Sequence, residues 1–385
     1  MKKVFSKMDK PLLLISIAFI LFGLVMILSA SSMESLMRYG YGPYHYFYRQ
    51  ATFIGVGIIL FLIIIHIPTK VYKRLSYVLI IASIVCLLAL TVYGRVANNA
   101  QSWFKVGGIS IQPSEFTKII VIMFLASYYD YHKETLDNIK KVLLPIIPIA
   151  IIFIIVALQP DLGTALIIGF ISFFIVFSLP MPKKNLRKMK FLVVVLLLVG
   201  SLGLVVVKDK VLKDYQKERF NFKDPCERYQ QKSGYQLCNS FIAFKNGNFT
   251  GQGIGKSTQK YLYLPESYTD FIFPIIVEEW GAWMGCLIVI LYLTIIYRLY
   301  RIARQANSLY TSILSYGVCI YFFLHVSVNL VGVMGLAPLT GVPLPFLSYG
   351  GSYVISLISS LAIAQRAAIE NHNSKNKREK KLKKN

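Results

Sequence analysis

The chain has 385 residues, 55% of them hydrophobic, and a mean hydropathy of +0.56, too apolar for a water-soluble domain of ordinary composition. Its formal net charge of +24 comes mostly from basic residues between apolar stretches and from the tail Lys375–Lys384, a pattern of membrane topology that excludes a nucleic-acid surface as the leading reading. Only 18 residues are acidic, so each carboxylate beside an apolar stretch needs a reason: an ion in a membrane span costs free energy unless it is paired, solvated or used.

Apolar stretches long enough to cross a hydrocarbon core of roughly 30 Å recur along the chain. The expected spans are 11–31, 50–66, 73–93, 114–130, 142–158, 162–179, 190–207, 269–297, 309–334 and 349–368. The first follows a basic start and ends in Ser29-Ala30-Ser31, but its apolar core is longer than a secretory signal needs, and its removal would leave an odd number of spans. It is read as a retained helix. Lys and Arg crowd alternate connections and the tail, whereas the short intervening ones hold only Arg38, Arg49, Arg95 and Lys105, so both termini are expected in the cytoplasm. The expected fold is therefore an all-α integral membrane protein of about ten transmembrane helices. It comprises a membrane domain 1–368, one large outer loop at about 208–268, and a basic disordered cytoplasmic tail 369–385.

Polar groups then fall at one depth. Gln112-Pro113-Ser114-Glu115 opens the fourth span from outside, and Lys118 follows one turn deeper on the same helical face as Glu115, where the two can simply neutralise each other or serve a site. Gln159-Pro160-Asp161-Leu162-Gly163-Thr164 makes the tight outer turn between spans five and six, with Asp161 either a helix N-cap or a further carboxylate at that boundary. Cys86, Cys286 and Cys319 lie in spans and read as small apolar residues, while Cys226 and Cys238 share the outer loop, where an oxidising exterior could join them; spacing alone leaves that open. Phe249–Lys260, FTGQGIGKSTQK, imitates a phosphate-binding loop at Gly255-Lys256-Ser257. The match fails because Thr250 stands where the first glycine is required and no strand is expected before it. Its glycines are read as turns that bring the loop down to the membrane surface.

Span eight opens with Tyr263–Gly281, YLPESYTDFIFPIIVEEWG, which crowds four carboxylates at its outer end. At about 100° per residue, Glu266 shares a face with Asp270 if the helix begins early, Glu278 lies within about 80° of Asp270, and Glu279 points away, with Pro274 loosening the geometry. Asn329–Ser352 carries no charge but three prolines and repeated glycines, backbone that is tolerated at membrane depth only where protein buries it or water lines it. Its end, Ser348-Tyr349-Gly350-Gly351-Ser352, leads into the last helix, whose N-terminal N–H groups favour an anion. An outward-facing cavity with carboxylates, a lysine and a helix N-terminus suits phosphate. His45, His66, His132, His325 and His372 are scattered, so no His/Cys metal cluster is expected, and carboxylate-bound Mg2+ or Mn2+ stays open. With no activated serine or cysteine apparent, general-base chemistry remains: Asp270 deprotonating a sugar hydroxyl that attacks an anomeric carbon, with cationic groups stabilising a departing pyrophosphate.

Five blocks together are specific: GLVMILSASS at 23–32, SWFKVGGISIQPSEFTK at 102–118, QPDLGTA at 159–165, KYLYLPESYTDFIF at 260–273 and GLAPLTGVPLPFLSYGGS at 335–352. Through them the chain, from about Asp9 to Arg366, resembles the SEDS proteins (shape, elongation, division and sporulation) of the FtsW and RodA type. The resemblance implies a ten-helix glycosyltransferase of the bacterial cytoplasmic membrane that polymerises lipid II, an undecaprenyl-pyrophosphate-linked disaccharide-peptide, at the outer face. It implies Asp270 as the catalytic residue and Glu115, Lys118 and Asp161 as polar cavity positions. Glu266, Glu278, Ser348, Gly350 and Gly351 complete the expected substrate-binding set. The implied partners are a class B penicillin-binding protein and other membrane proteins of the division or elongation machinery. Departures are Tyr353 after Ser352, Pro274, Lys245-Asn246 and the two-cysteine segment 226–238; Tyr268 and the Tyr48-Arg49-Gln50 run lean towards the division member. Two alternatives compete: a lipid II flippase, which needs polar groups on both sides of a path, and a non-catalytic scaffold for the penicillin-binding protein.

Overall fold

The computed structural model describes residues 2–97, 100–106, 109–191 and 223–382. The expected span 190–207 therefore lies almost wholly outside the described residues, as does the first part of the expected large loop.

The first long helix, α1 (Lys10–Tyr39), starts where the Asp9 side chain accepts from the Leu12 N–H, with Pro11 in the first turn. It stops at Gly40, whose φ of 65° is the left-handed cap that glycine supplies. Then follow α2 (His45–His66) and α3 (Thr69–Tyr93). Between α3 and the next helix lies a feature not anticipated from hydropathy, an antiparallel sheet ordered β1 (Arg95–Ala97), β2 (Ala100–Val106), β3 (Ile109–Ile111). Its register sets Arg95 opposite Trp103 and Phe104 opposite Ile111. Strand-length segments this short are invisible to a search for spans.

The helices α4 (Pro113–Tyr131), α5 (Ile139–Leu143), α6 (Ile146–Leu158) and α7 (Leu162–Phe177) come next. The described part of the large loop carries the amphipathic helix α8 (Lys232–Gly247), and the structure joins Cys226, ahead of the helix, to Cys238 in its second turn, with Cα atoms 4.9 Å apart. Expected span eight is two helices, α9 (Ile272–Trp280) and α10 (Ala282–Arg304), broken at Gly281. Gly281 has φ of 89°, left-handed backbone that ends α9, and only glycine fits there because a Cβ would lie 2.1 Å from the Phe249 carbonyl oxygen. Last come α11 (Leu309–Val333) and α12 (Gly351–Leu382), separated by irregular backbone.

Among the described residues, seven helical stretches are long and apolar enough to cross a membrane: α1, α2, α3, the α5–α6 pair, α10, α11 and α12. Helix α4 fails that criterion because Glu115, Lys118 and Asp130 interrupt it, and α7 because it has only 16 residues. Burial sorts the spans. In α11 and α12 most of the apolar window is inside the protein, 72% and 83%, against 22% in α2. Thus α11 and α12 form the centre, with α4 and α7 packed on α11 and with α2 and α4 packed on α12. The other spans turn residues such as Leu14, Val78, Ile147 and Leu293 outward, as a hydrocarbon environment demands of a helix whose backbone is satisfied internally.

The tail differs from expectation. Helix α12 does not end near 368 but runs on to Leu382, and Asn371 and Asn373 bond to Asn307 and Lys7. After Gly351 the segment holds neither glycine nor proline, so nothing in its backbone chemistry stops the helix.

Candidate active site

A cavity of about 810 Å³ opens where the starts of α4, α7 and α12 meet the end of α11, the loop before α9 and the irregular segment 334–350. Each side chain reaches it for a local reason. Pro113 fixes the first turn of α4, so Glu115 and Lys118 fall one turn apart on the inward face, both buried, with Lys118 Nζ 2.9 Å from Glu115 Oε1. Asp161 fills both expected roles: Oδ1 caps α7 by accepting from the Thr164 N–H at 3.1 Å, and Oδ2 accepts from Gln112 Nε2 at 2.9 Å.

Asp270 sits in the turns before α9, partly exposed to the cavity. Its backbone is tied down, because Asn329 Nδ2 donates to the Asp270 carbonyl and to the Val342 carbonyl, each at 2.8 Å. Opposite stands Gly341 with φ of 70°, where an added Cβ would come 3.2 Å from Asp270 Oδ2. A side chain at 341 would crowd the carboxylate, so glycine both makes the turn and leaves room at Asp270. Glu266, also at φ above zero (58°), lines the same cavity and accepts from Thr269 Oγ1 at 2.7 Å. Arg38 and Arg49 bring positive charge to the wall, and Arg38 is paired with Glu34 at 2.8 Å.

Gly350 and Gly351 line the cavity at the head of α12. Gln50 reaches across from α2 to take the Gly350 N–H at 3.2 Å, so part of this terminus is already occupied by a protein oxygen. Beside it Tyr46, Tyr268 and Tyr349 pack with ring centroids 4.6 to 5.7 Å apart. Burial, with a smaller contribution from its bond to Tyr46, pushes the Tyr268 phenol well up from its usual range, so this hydroxyl stays neutral and is no candidate base.

Two expected site residues lie elsewhere. Ser348 is buried beneath the cavity wall, where its Oγ accepts from the Leu344 N–H at 2.8 Å and holds the 344–348 turn. Glu278 is fully buried in a different cluster. Its Oε1 accepts from Asn246 Nδ2 at 2.8 Å and Thr258 Oγ1 at 2.9 Å, and its Oε2 from Ser257 Oγ and the Gln259 N–H. The angular extrapolation fails because α9 begins at Ile272, after Asp270, so the two carboxylates never share a helix. Glu279, the neighbour, pairs with Lys260 at 2.8 Å and accepts from Ser29 Oγ at 2.6 Å. Together the two acids hold the 246–260 loop, and Ser257 of the imitation phosphate motif serves a protein carboxylate instead of a ligand.

The structure also adds groups that sequence reasoning passed over: Gln112, His325 and Asn329. His325 is buried, 3.2 Å from Lys118 Nζ through Nε2 and 3.3 Å from the Pro343 carbonyl through Nδ1. The available signal was the i, i+4 spacing of His325 and Asn329 in an otherwise apolar span, since polar groups inside a membrane helix turn inward. Among the described residues, no group of three or more His, Cys, Asp or Glu is placed to hold a metal ion.

Fold and site together define a polytopic helical membrane protein with a charged, partly open cavity at one end of its helices. The FTSW_RODA_SPOVE family, described as cell cycle proteins, matches residues 10–373, and the chain belongs to that family. It is 35% identical over 383 residues to the probable peptidoglycan glycosyltransferase FtsW of Bacillus subtilis, covering 99% of this chain and 95% of that one. The probable peptidoglycan glycosyltransferase FtsW of Coxiella burnetii is 34% identical, with 95% and 97% covered. Among solved structures, a chain of a peptidoglycan synthase complex that coordinates polymerization and crosslinking superposes with a TM-score of 0.74 at 25% identity, over 94% of this chain and 98% of that one. The rod shape determining protein RodA of Thermus thermophilus superposes with a TM-score of 0.65, also at 25% identity, over 94% and 96%.

Proposed function

We propose that this chain is a peptidoglycan glycosyltransferase that polymerises lipid II at the outer face of the bacterial cytoplasmic membrane during cell division. The observation that carries the reading is the Asp270 carboxylate, backed by Gly341 and facing a cavity that also holds Lys118, Arg38, Arg49 and the head of α12. The arrangement pairs a base with cations in one space, which an attack on an activated glycosyl donor requires.

In this mechanism Asp270 accepts the proton of an acceptor sugar hydroxyl as its oxygen bonds to the donor's anomeric carbon. The bond from that carbon to the pyrophosphate oxygen breaks with inversion, and the lipid pyrophosphate leaves with the electron pair. Lys118, Arg38 and Arg49 offset the charge that grows on it. Glu115 keeps Lys118 in the cavity wall; Gln112 and Asp161 brace the opposite side. Ten spans, cytoplasmic termini and an outer loop 208–268 complete the proposed topology. No step is routed through a divalent cation, although Mg2+ or Mn2+ brought in with the pyrophosphate is compatible with this charge pattern.

A class B penicillin-binding protein is the proposed partner, supported by the likeness to a chain of a synthase complex that couples polymerization to crosslinking. Catalysis is favoured over transport because three ion pairs at the opposite end are built into the packing: Asp9 with Arg298, Lys73 with Asp130 and Arg366 with Glu370. The first two pairs join separate helices, and Glu370, paired within α12, also accepts from the Thr69 N–H and hydroxyl at the start of α3, so these groups serve packing. The test is glycan-strand formation from labelled lipid II by the purified protein, alone and with its transpeptidase partner. Polymer is expected with the partner present; head-group movement across liposomes without polymer would overturn the reading in favour of transport.

A further inference from the structure

Lys118 is 1% exposed and needs a defined set of acceptors for its three N–H bonds. Glu115 Oε1 takes one at 2.9 Å. His325 Nε2, at 3.2 Å, takes a second only if it carries a lone pair, because an ammonium has nothing but donors. The ring's other nitrogen must then bear the hydrogen, and Nδ1 indeed faces an acceptor, the Pro343 carbonyl at 3.3 Å. The imidazole is held in that orientation by Tyr353 stacked at 4.9 Å and Tyr321 edge-on at 4.7 Å, and the Tyr353 hydroxyl donates to the same Pro343 carbonyl at 3.0 Å. One turn along α11, Asn329 ties Val342 to the Asp270 backbone. The segment that backs Asp270 is thus fastened to α11 at two adjacent residues, and one of those fasteners also holds the cavity's lysine.

We propose that His325 is a positioning residue, a neutral imidazole that accepts from the Lys118 ammonium and donates to the Pro343 carbonyl, fixing the cavity's cation relative to the loop behind Asp270. It rests on the glycosyltransferase reading for its effect on rate, though not for the hydrogen bonds themselves. His325 touches no reacting atom; it acts through Lys118. Glutamine can reproduce both bonds, with its carbonyl towards Lys118 and its amide N–H towards Pro343, whereas leucine reproduces neither.

The test uses the full-length protein with its transpeptidase partner and labelled lipid II, comparing wild type, His325→Leu, His325→Gln, Lys118→Met and the Lys118→Met/His325→Leu pair. His325→Leu should lower kcat by about 10- to 100-fold, the scale on which groups that orient an active-site residue act, with KM changed by less than about threefold. His325→Gln should recover most of that loss. On the Lys118→Met background, His325→Leu should add little, since a residue that works through Lys118 has nothing left to orient. Equal losses in the leucine and glutamine variants, or losses that multiply in the pair, would overturn the proposal. Nitrogen-15 NMR of histidine-labelled protein, with His325 assigned by subtracting the His325→Gln spectrum, should show a protonated Nδ1 and a bare Nε2. The opposite tautomer or an imidazolium overturns the proposal whatever the activity. The expected tautomer in a wild type that makes no polymer would instead sink the glycosyltransferase reading and leave the hydrogen-bond assignment standing.

Discussion

Two pairs of acids flank the nine-residue helix α9, Glu266 and Asp270 before it and Glu278 and Glu279 at its end, and they have opposite fates. Glu278 is 0% exposed and Glu279 1%, and Glu278 has donors on both oxygens from side chains and backbone of the 246–260 loop. Glu266 and Asp270 stay partly exposed on a cavity wall that also carries Lys118 and two arginines. In the sequence all four look alike, acids at the edge of an apolar run. What separates them is burial. A carboxylate sealed inside among its own chain's donors is a strut, and one on a cavity wall beside cations lies within reach of a ligand.

Substitutions can break that comparison from either side. The largest effect is expected at Asp270→Asn, which removes the proposed base while keeping the shape: polymer formation should fall by about 10³-fold or more, the scale of general-base catalysis, with an unchanged melting temperature in detergent. Glu279→Ala comes next, since it leaves Lys260 buried without its ion partner; a loss of about 3–5 kcal/mol is expected in thermal or denaturant unfolding, read as lower yield and melting temperature. Replacing Cys226 and Cys238 with serine releases the cross-link across 12 residues of sequence. That should cost roughly 3 kcal/mol locally, seen as faster proteolysis of the 223–247 segment in the unreduced protein only. Glu278→Gln keeps the size but weakens charge-assisted bonds, for about 1–3 kcal/mol of stability and near-normal turnover per folded molecule. The smallest change is Gln112→Leu, which removes one donor to Asp161; activity should drop by a factor of about ten or less, about 1.4 kcal/mol, with the cap to Thr164 retained.

How much of this was legible in the sequence depended on the range of the interaction. The Glu115–Lys118 pair and the Asp161 cap are separated by three residues each, and helix geometry alone brings such partners together. The length of the apolar runs likewise gave seven spans that the described residues bear out. Glu278 was misplaced because the helix was assumed to begin before Asp270, and a start only a few residues later turns every later side chain by 100° per residue. The left-handed Gly281 breaks the expected eighth span, and the reason it must be glycine is found only in space, the Phe249 carbonyl where a Cβ would stand. Ser348 and the pairings of His325 and Asn329 depend on how the irregular segment folds back between helices. No local rule reads that packing, although the two polar residues one turn apart in α11 mark the face that must turn inward.

The most direct test of the division between strut and site is to assay Asp270→Asn and Glu278→Gln side by side, with polymer formed from labelled lipid II in the presence of the transpeptidase partner normalised to folded protein by a gel-filtration peak. Asp270→Asn should give a normal amount of folded protein and no polymer. Glu278→Gln should give less folded protein, each molecule of it close to wild-type rate. Polymer from the Asp270→Asn protein at the wild-type rate, or a well-folded Glu278→Gln protein that makes none, would contradict the assignment of chemistry to one end of α9 and architecture to the other.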